Sequence, residues 1–295
     1  MIDGFLLVDK PGGWTSHDVV AKARILLGQR RVGHAGTLDP MATGLLVLGL
    51  GRATRLIRFV QDTVKVYEAT ALFGVATDTL DADGAILSRE EMDIDEADVH
   101  RAAKRFVGRV MQVPPMVSAK KVGGRRLHEL ARQGIEVERE AVPVDIHEIE
   151  VLDVAPGPYP EVQFRVHCGA GTYVRTLADD IAAALGGRAH LTALRRTAIG
   201  ALDVATAHTI EALEEAAASS HLMGLVLPPS QGLTDLPAVE VDRETGRAVG
   251  HGSVFPVGAL GIEQPGSHRI IDQAGKLLAV YRSDGRRATP EVVLA

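Results

Sequence analysis

The spacing of apolar residues switches repeatedly between a period near two and one near 3.6, and the switches mark the elements. Phe5-Leu6-Leu7-Val8 is an unbroken apolar run stopped by Lys10-Pro11-Gly12-Gly13, which predicts a first strand and a turn. Over 16–27 the spacing predicts a helix, with Ser16 as N-cap, Val19, Val20, Ala23, Ile25, Leu26 and Leu27 on an apolar side, and Gly28 ending it. A short buried strand is predicted over 45–50, a short helix over 53–59 and a long strand over 64–73. The 95–107 stretch reads as an amphipathic helix, 142–154 and 161–168 as strands, and 172–185 as a helix closed by Gly186-Gly187. More strand is predicted over 191–204, then a helix over 210–218 capped by Thr209 or an earlier Thr. After Leu227-Pro228-Pro229 the pattern changes to short β-rich runs separated by Gly and Asp turns. A second unit of about 70 residues, a small β-barrel, is the expectation.

Composition narrows the class. With 46% hydrophobic and 24% charged residues over 295 positions, the chain has the makeup of a globular protein of one or two domains. No apolar stretch approaches the ~20 residues of a membrane helix. No basic region precedes the first apolar residues, so no signal peptide is expected. Cys168 is the only cysteine, which excludes an intramolecular disulfide and a cysteine-based zinc site and fits a reducing cytoplasm. The net charge of −6 is unevenly spread. Over 10–58 there are eight basic residues against two acidic, and over 101–139 ten against three. Over 62–98 there are two against eleven. Two basic blocks flanking an acidic one suit a positive face that binds phosphates, or equally two solvated helix faces.

The candidate chemistry concentrates in Gly33-His34-Ala35-Gly36-Thr37-Leu38-Asp39-Pro40-Met41-Ala42-Thr43-Gly44. Two readings fit these residues. Asp39-Pro40 has the form of a helix N-cap followed by Pro at the first helical position. Alternatively, a lone carboxylate in a glycine-rich loop beside Arg30-Arg31 serves as a nucleophile on an anionic substrate. The stretch has no Gly-Lys-Ser/Thr and is no P-loop, and Gly49-Leu50-Gly51-Arg52-Ala53-Thr54 lacks the third glycine of a dinucleotide fingerprint. The acidic loop over 77–84 places Thr79, Asp81, Asp83, Gly84 and Glu90 near calcium-loop offsets. Thr at the first position, after a strand rather than a helix, argues against calcium. The segment over 113–145 opens with Pro114-Pro115 and carries Lys120, Lys121, Arg125, Arg126 and Arg132, the composition of a mobile basic arm with a short helix near 127–132.

Together these segments resemble the bacterial tRNA pseudouridine-55 synthases. The 33–44 loop is joined by Asp9-Lys10-Pro11-Gly12-Gly13-Trp14-Thr15-Ser16, Lys65-Val66-Tyr67-Glu68-Ala69, Thr77-Asp78-Thr79-Leu80-Asp81-Ala82-Asp83-Gly84 and Gly171-Thr172-Tyr173-Val174-Arg175-Thr176-Leu177. Leu194-Arg195-Arg196 and the basic segment follow in the same order, so the likeness runs over about 4–215. The resemblance implies an α+β fold: a mixed, largely antiparallel central sheet flanked by helices, followed by a small C-terminal β-barrel of PUA type. It implies a catalytic domain over 1–226 with its arm at about 113–145, and an RNA-binding barrel over 227–295. It also implies isomerisation of uridine to pseudouridine at position 55 in the tRNA T-loop, on an extruded nucleotide, without cofactor or metal.

By the same resemblance Asp39 is the nucleophile, by attack on the uracil or on the ribose, or it takes a ribose proton. Arg175 is the cation that keeps it ionised, although a cation in a helix's first turn is mildly disfavoured. Tyr67 stacks on the uracil, and its hydroxyl helps remove the C5 proton. His34 helps extrude the base, Asp81 hydrogen-bonds it, and Tyr173 and Leu194 line the pocket. Lys10, Lys120, Lys121, Arg125 and Arg126 contact the RNA. The implied partner is the tRNA T-arm, and the implied protein is a cytoplasmic monomer with no membrane association and no obligate protein partner. An RNA-binding module without catalysis would use the same basic blocks. A glycoside hydrolase would need a second paired carboxylate, and a nucleotide-binding enzyme would need other glycine spacing.

Overall fold

Lys65, Ala69, Ala71 and Phe73 are buried while Val66, Glu68, Thr70 and Leu72 are only partly so, the period of two of a strand with one covered face. This Lys65–Phe73 strand lies mid-sheet in a computed structural model that describes residues 2–294 except 119–120, 123, 128–129, 131–132, 134, 136, 257 and 263. Two compact units emerge: 39–44 with 64–199, and 1–38 with 45–63 and 200–295.

In the unit containing 64–199, the strands run Ala189–Ile199, Lys65–Phe73, Glu161–Cys168, Val142–Ala155 and Gly108–Gln112, each antiparallel to its neighbour. Thr43 and Gly44 pair in parallel with Arg195 and Arg196 at the near edge. The sheet is therefore mixed and largely antiparallel, as expected. Phe73, Val162 and Phe164 meet Val99, Ala103 and Ile181 from the helices Glu96–Lys104 and Val174–Ala183. Asp95 and Asp98 close a capping box at the first helix. Tyr67 shares the face of Ala69, Ala71 and Phe73. The other face carries a row of charge in which Arg165 pairs with both Glu68 and Glu150 on the adjacent strands. Gln112 pairs with Val142, so the chain leaves and rejoins the sheet on one rung, and the basic segment spans 113–141 rather than 113–145.

In the other unit Gly4–Lys10 lies beside 45–50, whose apolar residues are all fully buried, and Val32–His34 pairs with the same strand. The helix Ser16–Leu26 starts one residue earlier than predicted. Thr15, not Ser16, is its N-cap, in a capping box with Asp18. The Ser16 hydroxyl instead ties the helix to the 33–38 segment: it accepts from the Leu38 N–H at 2.9 Å and donates to the Leu38 carbonyl at 3.2 Å. Thr209 caps the helix Ile210–Ala218. Residues 238–293 form a five-stranded sheet, Ala238–Val241, Gly266–Asp272, Leu277–Ser283, Arg287–Val293 and Phe255–Pro256 in spatial order. Its core is Val241, Val249, Ile270, Ala279, Tyr281 and Ala288.

Of the two readings of Asp39-Pro40, the helix start does not hold: the Ala42 N–H donates to the Asp39 carbonyl at 3.1 Å, closing a turn, and the strand Thr43–Leu50 follows at once. Gly44 is the reason a strand can leave this turn. Its φ is +97°, and a Cβ there would lie 2.3 Å from the Arg196 carbonyl oxygen and 2.9 Å from its nitrogen. Gly44→Ala is expected to cost about 1–3 kcal/mol for the backbone conformation alone, with more from the clash. Urea unfolding followed by circular dichroism checks this, and an unchanged midpoint would refute the close approach.

Candidate active site

Arg175 is the second residue of the helix Val174–Ala183 and is only 3% exposed. A buried guanidinium needs a partner for each donor, and here they come from three other segments. Its Nε lies 3.0 Å from Asp39 Oδ2. Its Nη1 lies 3.1 Å from Asp81 Oδ2 and donates to the Thr79 carbonyl at 2.6 Å. Its Nη2 donates to the Val117 carbonyl at 2.7 Å. The helix start itself is seated by Gln112, a fully buried amide whose Oε1 accepts from the Tyr173 N–H at 3.0 Å. The planar fork of arginine, with its five N–H donors, matches this arrangement as lysine cannot.

Asp39 sits at the opening of the turn that Gly44 ends. A third of its side chain is exposed, so the carboxylate is gripped on one side and reachable on the other. Both oxygens of Asp81 have protein partners: Oδ2 faces Arg175, and Oδ1 accepts from the Thr79 hydroxyl and the Asp83 N–H. At 5% exposure it is a second anchor for Arg175.

Tyr67 is half-buried and stands opposite Arg196 in the sheet register. Burial pushes its phenol above the usual range, and the Asp39 charge adds to that push, while Arg196 opposes it. Leu194 is buried two residues from Arg196, paired with Ala69. Asp39, Tyr67, Arg175 and Asp81 thus belong to one constellation, with Leu194 and Tyr173 on elements that frame it.

The remaining predicted residues fall elsewhere. His34 is in the other unit, half-buried, with its ring edge-on to His17 at 5.5 Å. Lys10 is fully buried, and its ammonium donates to the carbonyls of Pro11 and Trp14. It braces the loop after the first strand instead of presenting a surface cation. Arg125 is exposed and donates to Gln133. Lys120 and Arg132, with the side chains of Lys121 and Arg126, lie outside the described residues, as does most of the helix expected near 127–132. Gln112, Thr79 and Arg196 join the site without having been nominated from sequence. Arg196 and Thr79 carried a signal, as parts of Leu194-Arg195-Arg196 and of the 77–84 segment, whereas Gln112 carried none.

Comparisons with known proteins give the class. Residues 24–174 match the model for the N-terminal domain of the TruB family pseudouridylate synthases. Residues 175–234 match that for the tRNA pseudouridylate synthase B C-terminal domain. By family the chain is therefore a pseudouridylate synthase. The chain is 45% identical to tRNA pseudouridine synthase B of Thermobifida fusca (strain YX), over 100% of this chain and 99% of the relative. It is 41% identical to that of Geobacillus thermodenitrificans (strain NG80-2), over 95% and 94%. Among solved structures, the crystal structure of a Cbf5-Nop10-Gar1 complex has a chain similar at a TM-score of 0.75 and 26% identity, covering 99% of this chain and 85% of that one. The chain belongs to the TruB family of pseudouridylate synthases.

Removing the guanidinium should leave Asp81 buried without its counter-charge. Arg175→Met is expected to destabilise by about 3–5 kcal/mol, and Arg175→Lys by less, in urea denaturation. A Met variant within 1 kcal/mol of the unsubstituted protein would rule out the clamp as an anchor.

Proposed function

We propose that this enzyme converts uridine to pseudouridine at position 55 of the tRNA T-loop, with Asp39 as the nucleophile on an extruded base. Its family and its relatives make it an isomerase acting on tRNA. The observation that carries the finer reading is the Asp39 carboxylate, pinned on one side by Arg175 at 3.0 Å and one-third exposed on the other.

In this reaction the glycosidic bond between uracil N1 and the ribose breaks, the base turns, and a bond from C5 to the same carbon forms. C5 loses a proton and N1 gains one, so the product is an isomer and no cofactor is consumed. Asp39 starts the exchange by adding to the uracil or to the ribose, or by taking a ribose proton. Arg175 supports this by fixing the orientation of the carboxylate, which a flexible side chain in a turn would not hold by itself. Tyr67 supplies a flat ring for the uracil and an oxygen for the C5 proton. Leu194 and Tyr173 bound the pocket. Extrusion of the base costs a few kcal/mol, and His34 and the cationic segment over 113–141 contribute to meeting that cost. The 227–295 sheet is read as a PUA-like RNA-binding unit, and the enzyme as a cytoplasmic monomer.

A tRNA transcript carrying tritium at uracil C5 tests the proposal. The enzyme should release tritium from a single position, and sequencing of the product should place pseudouridine at 55. Asp39→Asn is expected to lose release by at least ~10⁴-fold, the scale on which loss of a nucleophile acts, while tRNA binding stays within a few-fold. Release by that variant near the normal rate would remove Asp39 as nucleophile.

The basic segment makes a separate prediction. Each phosphate contact contributes about 0.7–0.9 to the slope of log affinity against log salt. Lys120→Glu with Lys121→Glu should therefore flatten that slope by about 1.5 in filter-binding titrations. An unchanged slope would take these two lysines out of the RNA interface.

A further inference from the structure

We infer that Arg196 is a positioning residue that holds the Tyr67 phenol oxygen for removal of the uracil C5 proton and couples that oxygen to the loop bearing Asp39. The inference rests on the reading of Tyr67 as the proton acceptor. Arg196 is 1% exposed and among the largest fully buried side chains. Enclosing a guanidinium costs several kcal/mol unless it is well partnered, so its place here asks for an account. Arg196 stands directly across from Tyr67 in the antiparallel register. Its guanidinium carbon is 5.9 Å from the Tyr67 ring centre, and its charge acts on the phenol in the direction that favours the phenolate. The backbone of the same residue is the surface against which Gly44 closes, with Arg196 paired to Gly44 in parallel register. One residue thus touches Tyr67 with its side chain and the end of the Asp39 turn with its main chain.

The electrostatics fit this role. The charged and titratable groups that act on the phenol are Asp39 from the turn, Cys168 from the strand on one side and Arg196 from the strand on the other. Cys168 is itself pushed up to about 11 by burial, so it carries no charge near neutral pH. Asp39 and burial both disfavour a phenolate. Arg196 is the cation that acts the other way. In the step itself the Tyr67 phenol has already given its proton to solvent. The C5–H bond breaks, its electron pair forms the C5–C6 double bond, and the pair displaced from C6 leaves on N1, which takes up a proton, or on Asp39 where that carboxylate is bonded to C6. The proton passes to the phenolate oxygen and leaves a neutral phenol. A fixed cation beside the ring favours the phenolate beforehand. Without Arg196 the pocket retains Tyr67 but not the group that supports its charged form.

The test is single-turnover pseudouridine formation on full tRNA transcripts carrying protium or deuterium at uracil C5, with Arg196→Gln and Arg196→Lys. Arg196→Gln is expected to be at least tenfold slower, with tRNA Kd within twofold and a larger C5 deuterium effect than the unsubstituted enzyme. Arg196→Lys, which keeps the cation but not the fork, should fall between them. A rate within twofold of the unsubstituted enzyme overturns the inference. So does a slower rate with an unchanged isotope effect, because a merely structural prop slows the reaction without singling out the C5 proton. Should circular dichroism show that Arg196→Gln does not fold, Arg196→Lys decides by the same two criteria. Tyr67→Phe separates the inference from the reading beneath it. A full rate in that variant overturns Tyr67 as acceptor, whereas a slow Tyr67→Phe beside unaffected Arg196 variants overturns only the role of Arg196.

Discussion

The enclosed guanidinium of Arg175 is the constraint around which this site is built. At 3% exposure it has given up its water, and its donors are met by two carboxylates and two carbonyls. Those partners lie on the 39–42 turn, the 77–84 turn and the segment after Pro115, none adjacent in sequence to the helix that carries Arg175. The helix gives no help, since a cation in the first turn faces the positive end of the dipole. The position is tenable only because tertiary partners outweigh that local penalty, and it can be occupied only when all of those segments have arrived. The same interaction that aims Asp39 therefore also registers the assembly of the pocket.

A second coupling runs through the sheet. Alternation along Lys65–Phe73 sends Tyr67 to the face that the helices cover, and the antiparallel partners of that face include Leu194 and Arg196. The parallel pairing of Thr43-Gly44 with Arg195-Arg196 then brings the Asp39 turn to the end of the same row. A one-residue slip in either pairing would turn Tyr67 or Arg196 to the opposite face. The small contact between Gly44 and the Arg196 backbone is thus worth more to the geometry of the site than its size suggests.

Much of this was legible in the chain, for identifiable reasons. Strands with a covered face and helices with an apolar side announce themselves by period, whereas the capping boxes emerge only in the structure, where Thr15 takes the cap that Ser16 was expected to supply. Arg175 was suggestive because its local placement is poor. Asp39-Pro40 misled because helix-start chemistry is local, while the strand that follows is set by Gly44 against a residue about 150 positions away. Asp81 and Lys10 could not be placed because a charge's direction, inward or outward, is decided by tertiary partners. In the last 60 residues the strand Arg287–Val293 was hidden by Arg287 and Pro290, and the helix Arg243–Gly250 by its polar composition and its central Gly246.

The two kinds of cation in this protein answer to salt differently, and that difference separates chemistry from binding. Exposed lysines and arginines act on phosphates through water and are screened over about 8–10 Å at ordinary ionic strength. Arg175 and Arg196 are shielded from solvent, and their partners lie in direct contact, where mobile ions do not enter. On the proposed reading, added salt loosens the grip on RNA while leaving the charged framework of the site nearly as it was. A chain with an overall charge of −6 would then hold a polyanion through exposed positive charge gathered into local blocks, while the buried charge of Arg175 and Arg196 faces two carboxylates and the Tyr67 ring.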